Sequence, residues 1–126
     1  MCGIIGFVGN EPAAPILLDG LERMEYRGYD SAGVAVRSET AGLQVRKTKG
    51  RLQVLSDLIH GGADLEGNLG IGHTRWATHG EPNDINAHPH VSENGRIALV
   101  HNGIIENYLE IKEHLMRQGV HFTSDT

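Results

Sequence analysis

The chain has 126 residues, enough for one domain with its own core, and its 39% hydrophobic and 21% charged residues are ordinary for a globular protein. A net charge of −5 argues against a general nucleic-acid-binding surface, and no apolar run is long enough to span a bilayer. We therefore expect binding to neither nucleic acid nor membranes. A single cysteine excludes an internal disulfide framework, so we expect a cytoplasmic protein.

The N-terminal half contains alternating strand and helix signals. Residues 4–8 predict a short buried strand, and Asn10 and Pro12 favour a helix start directly after it. Apolar residues then recur at helical spacing as far as Met24. A hairpin follows, and its strands are predicted over 33–37 and 43–47. A short amphipathic helix over 52–59 completes this half.

The C-terminal half begins with a predicted strand over 69–74. A long irregular segment over 75–95 follows, and loops of this length in compact domains are usually functional or mobile. A strand over 97–101 and a helix over 108–116 come next, and residues 120–122 resemble a strand start. The order of elements predicts an α+β fold in which helices pack against largely antiparallel sheets.

Cys2 is the only cysteine, and it lies one residue from the start of the chain. Removal of Met1, which is usual before a small residue, would leave a free α-amine beside the thiol. An α-amino group ordinarily has a pKa of about 7.7–8.0, so near pH 7 part of it is neutral and able to accept the thiol proton. Alternatively, Cys2 is a small buried hydrophobe at the start of a strand.

Histidines are concentrated in one part of the chain, which raises the question of a metal site. The sequence has no second cysteine and no His-Glu-x-x-His helix, and Arg75 in the same segment would repel a cation. We therefore expect no metal. The five histidines in this part of the chain are His73, His79, His88, His90 and His101.

The segment after the predicted strand at 69–74 favours a site for a small anion or zwitterion. Arg75 has the geometry for bidentate carboxylate binding, and Thr74, Thr78 and His79 place hydroxyl and imidazole groups beside it. Trp76, the only tryptophan, is suited to act as a lid over a ligand. The alternative is an ordinary surface loop with one solvated arginine.

Asn102 and Gly103 directly follow the predicted strand over 97–101. A side-chain amide beside a glycine N–H can form a two-donor oxyanion hole. Asn-Gly is also the strongest short hairpin signal, so the local sequence by itself favours a turn.

Five motifs occur in order along the whole chain. They are Cys-Gly-Ile at 2–4, Arg-Gly-Tyr-Asp-Ser-Ala-Gly at 27–33, His-Thr-Arg-Trp-Ala-Thr-His-Gly at 73–80, Asn-Ala-His-Pro-His at 86–90 and His-Asn-Gly-Ile-Ile-Glu-Asn at 101–107. In this the chain resembles the N-terminal glutaminase domains of the glucosamine-6-phosphate synthase family, within the class II glutamine amidotransferases. Amidophosphoribosyltransferases share the cysteine start and an Asn-Gly, but typically lack Arg-Trp-Ala-Thr-His-Gly.

The resemblance implies an N-terminal nucleophile hydrolase fold, a four-layer α-β-β-α sandwich of which residues 1–126 form an incomplete N-terminal part. It implies a type 2 glutamine amidotransferase domain that hydrolyses L-glutamine without a cofactor. The ammonia would pass to fructose 6-phosphate in a sugar-isomerase domain outside this chain, and the full-length enzyme would be a homodimer. The alternatives are an amidophosphoribosyltransferase glutaminase domain and a non-catalytic glutamine-sensing domain.

The resemblance also implies residue roles. Cys2 would be the nucleophile, its α-amine the general base, and Asn102 and Gly103 the oxyanion donors. The residues expected to bind glutamine are Arg75, at the α-carboxylate, with Trp76, Thr78 and His79, while Arg27 would support Cys2 and its loop.

One feature of the family falls beyond the end of the chain. The resemblance implies an aspartate that binds the glutamine α-amine, and alignment places it directly after Thr126. Asp125 is one residue before that threonine and should not replace the expected aspartate. The two positions are two residues apart, and such residues in a strand are about 6–7 Å from each other.

Overall fold

A computed structural model describes residues 2–77 and 80–126 of the chain. Two short 3₁₀ turns, Glu25–Arg27 and His60–Gly62, follow the first and second helices. The regular elements in chain order are β1 (Gly3–Val8), α1 (Ala13–Arg23), β2 (Ser31–Ser38), β3 (Gly42–Lys49), α2 (Leu52–Leu58), β4 (Leu69–Arg75), β5 (His90–Val91), β6 (Ala98–Leu99) and α3 (Tyr108–Arg117).

The main sheet has four antiparallel strands in the order β1-β4-β2-β3. Strand β4 lies between β1 and β2, so Gly3 pairs with Thr74 on one side and Ser31 pairs with Arg75 on the other. This register brings the beginning of the chain, at Cys2, beside the end of β4.

The hydrophobic core lies between one face of this sheet and helices α1 and α2. Leu17 and Leu21 of α1, Leu55 of α2 and Val34 and Val36 of β2 are all fully buried. Burying an aliphatic side chain of this size stabilises a fold by roughly 1.5–3 kcal/mol. These contacts fix the sheet that carries Cys2 and Arg75.

The opposite face of the sheet is covered by the segment that leads into β5. Gly33 alternates with the core residue Val34 along β2, so it faces away from the helices. A Cβ atom at Gly33 would collide with the carbonyl oxygen of His88. The absence of a side chain therefore lets the backbone around the cis His88–Pro89 peptide bond lie directly on the sheet.

The C-terminal region is less buried than the N-terminal region. Strands β5 and β6 form a separate two-stranded sheet in which His90 pairs with Leu99. Helix α3 has no buried residue. Large apolar side chains in this region are 40–63% exposed, namely Val91, Ile97, Leu99, Ile104, Ile105, Leu109, Ile111, Met116 and Phe122.

The predicted elements are confirmed in the N-terminal half and only partly in the C-terminal half. The strand predicted over 97–101 is reduced to β6, the segment predicted as irregular contains β5, and residues 120–122 form no strand. The physical reason is pairing: in the described residues, β6 has β5 as its only neighbour, and a strand ends where its ladder ends.

The start of α1 differs from the sequence prediction as well. Asn10 does not cap α1; the N-cap position is Pro12, and the N–H of Ala13 donates instead to the carbonyl of Gly67 at 2.8 Å. A carbonyl of a neighbouring loop thus accepts a hydrogen bond from the first backbone N–H of the helix, a role that the sequence analysis gave to the side chain of Asn10. No helix in the part of the chain that the structure describes is both long and apolar enough to cross a membrane.

Candidate active site

Cys2 lies where β1 begins, against the chain that leaves β4. Its Sγ accepts a hydrogen bond from the N–H of Trp76 at 3.4 Å and lies 3.8 Å from the carbonyl oxygen of the same residue. Next to it, the N–H of Gly3 donates to Thr74 Oγ1 at 3.1 Å. The sheet register and these bonds together hold the thiol at the end of β4.

Asp30 holds the segment that contacts the thiol. Its N–H donates to the carbonyl of Arg75 at 2.7 Å, and its Oδ2 accepts from the N–H of Ala77 at 2.7 Å, so it binds the backbone on both sides of Trp76. Nearby, Gly28 has a φ of 78°, and a Cβ placed on it would lie 3.5 Å from the Trp76 ring. The sequence analysis missed this role for Asp30, although the residue lies within the 27–33 motif.

Asn102 reaches the cysteine from the other side. Its Nδ2 donates to the carbonyl oxygen of Cys2 at 3.4 Å, and its Oδ1 lies 2.7 Å from His73 Nε2. Asn102 and Gly103 do not form a hairpin turn, because β6 ends at Leu99 and pairs only with β5 among the described strands. The local interpretation as a turn is therefore wrong, and the amide is available for a role at Cys2.

A cavity of about 1030 Å³ opens beside these groups. The volume is at the upper end of the range of roughly 300–1,000 Å³ that is usual for small-molecule sites. The lining residues that bear on the chemistry are Cys2, Arg75, Trp76, His88, His90 and Gly103.

Fixed positive charge lies at this cavity. Arg75 is 5% exposed, with guanidinium nitrogens 3.5 Å from the carbonyl oxygens of Gly80 and Glu81. Lys47 also lines the cavity, and its Nζ donates to the carbonyls of Ile85 and Ala87 at 3.0 and 2.8 Å. Both cations line the cavity, and two partly desolvated cations favour an anionic ligand group.

The histidines beside these cations are neutral at neutral pH. Burial, with further contributions from His73, His90, Arg75 and Lys47, lowers the pKa of His88 to about 3. Burial first, and then Lys47 and Arg75, lowers the pKa of His90 to about 4. The imidazoles of His88 and His90 are therefore uncharged near pH 7, and the positive charge beside them comes from Arg75 and Lys47.

Comparison with known proteins identifies the family. A family model described as a glutamine amidotransferase domain matches residues 41–126. The chain belongs to this family. It is 61% identical over 126 residues to a protein of Thermus thermophilus, and 57% identical to one of Caldanaerobacter subterraneus, both named glutamine–fructose-6-phosphate aminotransferase (isomerizing). The match covers all of this chain and 20% of each relative.

Solved structures support the same assignment. The glutamine phosphoribosylpyrophosphate amidotransferase of B. subtilis aligns with a TM-score of 0.80 and 28% identity, over all of this chain and 27% of its own. A structure described as the allosteric regulatory enzyme of purine biosynthesis aligns with a TM-score of 0.81 and 29% identity, over 98% of this chain and 27% of its own. The predicted α+β class and N-terminal nucleophile hydrolase fold are confirmed.

Four more residues of this glutamine amidotransferase domain are predicted to bind glutamine or to support Cys2, namely Trp76, Arg27, Thr78 and His79. Trp76 is 52% exposed at the cavity. Arg27 is exposed at the end of a 3₁₀ turn, next to the glycine that approaches Trp76, and its support of Cys2 stays a prediction. Thr78 and His79 lie outside the described residues.

The histidine-rich motifs bring three imidazole rings into contact, one pair stacked and one pair tilted. The His73 and His88 rings are 4.4 Å apart at 19°, and the His88 and His90 rings are 4.3 Å apart at 53°. Within residues 2–77 and 80–126, no group of three or more histidine, cysteine, aspartate or glutamate side chains is arranged to hold a metal ion. The three rings link β4, which carries His73, to β5, which begins at His90.

The end of the chain is tied to the site through Asn86. Its Oδ1 accepts from the N–H of Asp125 at 2.9 Å, and its Nδ2 donates to Asp125 Oδ2 at 3.3 Å. Thr126 Oγ1 lies 3.1 Å from His90 Nε2. Asp125 is thus hydrogen-bonded to a buried amide, and its expected lack of a role in binding glutamine stays a prediction.

Proposed function

We propose that this chain is the glutaminase part of a glutamine–fructose-6-phosphate aminotransferase, also called glucosamine-6-phosphate synthase. The observation that carries the proposal is the position of Cys2. This residue lies at a cavity that Arg75 also lines, and the side-chain amide of Asn102 donates to the backbone carbonyl of Cys2. A nucleophile, a carboxylate binder and an oxyanion donor are the minimum set for attack on an amide bearing an α-carboxylate.

The proposed reaction begins after Met1 has been removed. The α-amine of Cys2 takes the thiol proton, and Sγ attacks the side-chain carbonyl carbon of glutamine. The tetrahedral intermediate collapses as the C–N bond breaks, and the proton held by the α-amine leaves with ammonia. Water then attacks the γ-glutamyl thioester, which releases glutamate and restores the thiol.

The two ends of glutamine would be held by different groups. Asn102 Nδ2 and the N–H of Gly103 would stabilise the oxyanion, and losing one such donor typically costs on the order of 3 kcal/mol of transition-state stabilisation. Arg75 would bind the α-carboxylate, which agrees with the positive charge at the cavity. Trp76, Thr78 and His79 would complete the glutamine pocket.

The acceptor of the ammonia is proposed from the relatives. Identity to the fructose-6-phosphate aminotransferases compared is 52–61%, whereas identity to the structurally similar phosphoribosylpyrophosphate amidotransferase is 28%. This difference favours fructose 6-phosphate over a phosphoribosyl substrate. Because the chain spans 20% of the relatives' length, we place the sugar site in the remainder of a longer protein and treat residues 1–126 as part of its type 2 glutamine amidotransferase domain.

The cellular setting follows the same proposal. A reactive thiol without a disulfide partner suits the reducing cytoplasm. The homodimer implied by the family resemblance stays a prediction for the full-length enzyme.

The experiment is glutamine hydrolysis by the full-length protein with and without Cys2→Ala. We expect hydrolysis to fall to background while the melting temperature stays within about 2 °C, since the half-buried thiol contributes little to the core. Calorimetric titration with glutamine is the second readout. Hydrolysis at the wild-type rate in Cys2→Ala would disprove the assignment, and binding without turnover by the wild type would indicate a glutamine sensor.

A further inference from the structure

His73 is a buried residue of β4 that contacts the proposed oxyanion donor. It has no exposed surface, and its Nε2 lies 2.7 Å from Asn102 Oδ1. The Nδ2 of the same amide donates to the carbonyl of Cys2. The oxygen end of the Asn102 amide therefore contacts His73, and its nitrogen end contacts the backbone of Cys2.

The direction of the hydrogen bond follows from the chemistry of the two groups. Burial lowers the pKa of His73, an effect that Arg75 reinforces and the bond to Asn102 opposes, so the ring is neutral near pH 7. An amide oxygen only accepts, which requires the single ring hydrogen to be on Nε2. Nδ1 then carries a lone pair, and it is buried without a partner among the described residues.

The ring of His73 is fixed by its neighbours. Its backbone pairs with Ile4 of β1 on one side and Gly33 of β2 on the other. His88 stacks on the ring at 4.4 Å, and the Nδ1 of His88 accepts from the N–H of His101 at 3.3 Å. A donor held on a central strand and covered by a stacked ring has little freedom to leave Asn102.

We propose that His73 is a positioning residue that holds the Asn102 amide with its NH₂ group turned toward the oxyanion site. Without this donor the amide would populate the flipped orientation, in which Oδ1 faces the developing negative charge and repels it. The inference rests on the proposed glutaminase function. It assigns to His73 a part in the rate of the chemical step and none in binding glutamine.

Two amide substitutions in the full-length protein test the inference. The amide nitrogen of glutamine in His73→Gln can occupy nearly the place of Nε2, whereas the shorter side chain of His73→Asn cannot reach it. We expect His73→Asn to lower kcat for glutamine hydrolysis by about tenfold to a hundredfold, bounded by the loss expected for removing an oxyanion donor. We expect His73→Gln to keep most of kcat, with KM for glutamine within about twofold of wild type in both variants, because ground-state binding is unaltered.

A double variant, in which His73→Asn is added to Asn102→Ala, tests whether His73 acts through Asn102. In Asn102→Ala the added His73→Asn should cause almost no further loss of kcat, since coupled residues are not additive. Val36→Ala is the control for stability, because it removes core volume far along β2 from the site and should leave kcat unchanged. If His73→Asn does not fold, His73→Leu replaces it in the same comparison.

The outcomes separate this inference from the proposed function. Equal kcat values for the glutamine and asparagine variants, or losses that add to that of Asn102→Ala, would overturn the positioning role while hydrolysis still depended on Cys2. Hydrolysis that persists in Cys2→Ala would remove the function on which the inference rests.

Discussion

The N-terminal sheet and the C-terminal region position their residues of the proposed site in different ways. Cys2 and Arg75 are carried by the four-stranded sheet, whose face is packed by fully buried leucines and valines. Asn102 and Gly103 come from the C-terminal region, where α3 has no buried residue. That region contacts the rest of the molecule through side-chain bonds such as the one between His73 and Asn102. The proposed nucleophile is thus positioned by a packed sheet, and the proposed oxyanion donor by individual hydrogen bonds.

The exposed surface differs in the same way. Apolar side chains cluster between β5 and Phe122, and a large exposed apolar patch usually marks a surface that another segment or partner covers. This agrees with the proposal that the domain is part of a longer protein, as in relatives of which the chain spans 20%.

The two regions should differ most in how far the truncation of one leucine lowers the free energy of unfolding. Leu17→Ala in α1 removes a fully buried side chain and should lower the free energy of unfolding by about 2–5 kcal/mol. Leu109→Ala makes the same chemical change in α3, where the side chain is 55% exposed, and surface changes of this kind are usually within about 0.5 kcal/mol. Native-state hydrogen exchange of β2 amides in the 126-residue chain, in which α3 is exposed, measures both losses.

Similar losses in the two variants would break the contrast between the regions. A large loss for Leu109→Ala would mean that α3 contributes to the same cooperative unit as the core between α1 and the sheet.

Arg75 should affect binding of glutamine more than its turnover. A hydrogen bond to a charged group contributes about 1.5–3 kcal/mol, so Arg75→Gln should raise KM for glutamine by about tenfold to a hundredfold. Arg75→Lys keeps the charge but loses the planar bidentate geometry, and should give an intermediate KM. Steady-state kinetics with glutamine is the measurement. An unchanged KM in Arg75→Gln would exclude Arg75 as the carboxylate binder.

The sequence was most informative where local pattern and tertiary pairing agree. Helices α1 and α2, the β2–β3 hairpin and strands β1 and β4 all carry their own periodicity or turn residues, and all are present. Strand β6 and residues 120–122 have strand-like composition, but a strand also needs a partner, and the pattern of a single segment does not contain one.

The motifs predicted a set of site residues, but not the contacts between them. Ordered motifs brought Cys2, Arg75 and Asn102 to attention, but the two bonds of Asp30 and the contact of His73 with Asn102 depend on β4 lying between β1 and β2. Strand order is a long-range property of the fold, so spacing along the chain did not reveal it.

The central claim is that Cys2, with a free α-amine, forms a covalent bond to the substrate. The most direct measurement is peptide mass spectrometry of the full-length protein quenched in acid during turnover of glutamine. The account predicts that the N-terminal peptide begins at Cys2 and carries one γ-glutamyl group on that residue. Active protein whose N-terminal peptide retains Met1, or whose γ-glutamyl group is found on another residue, would contradict it.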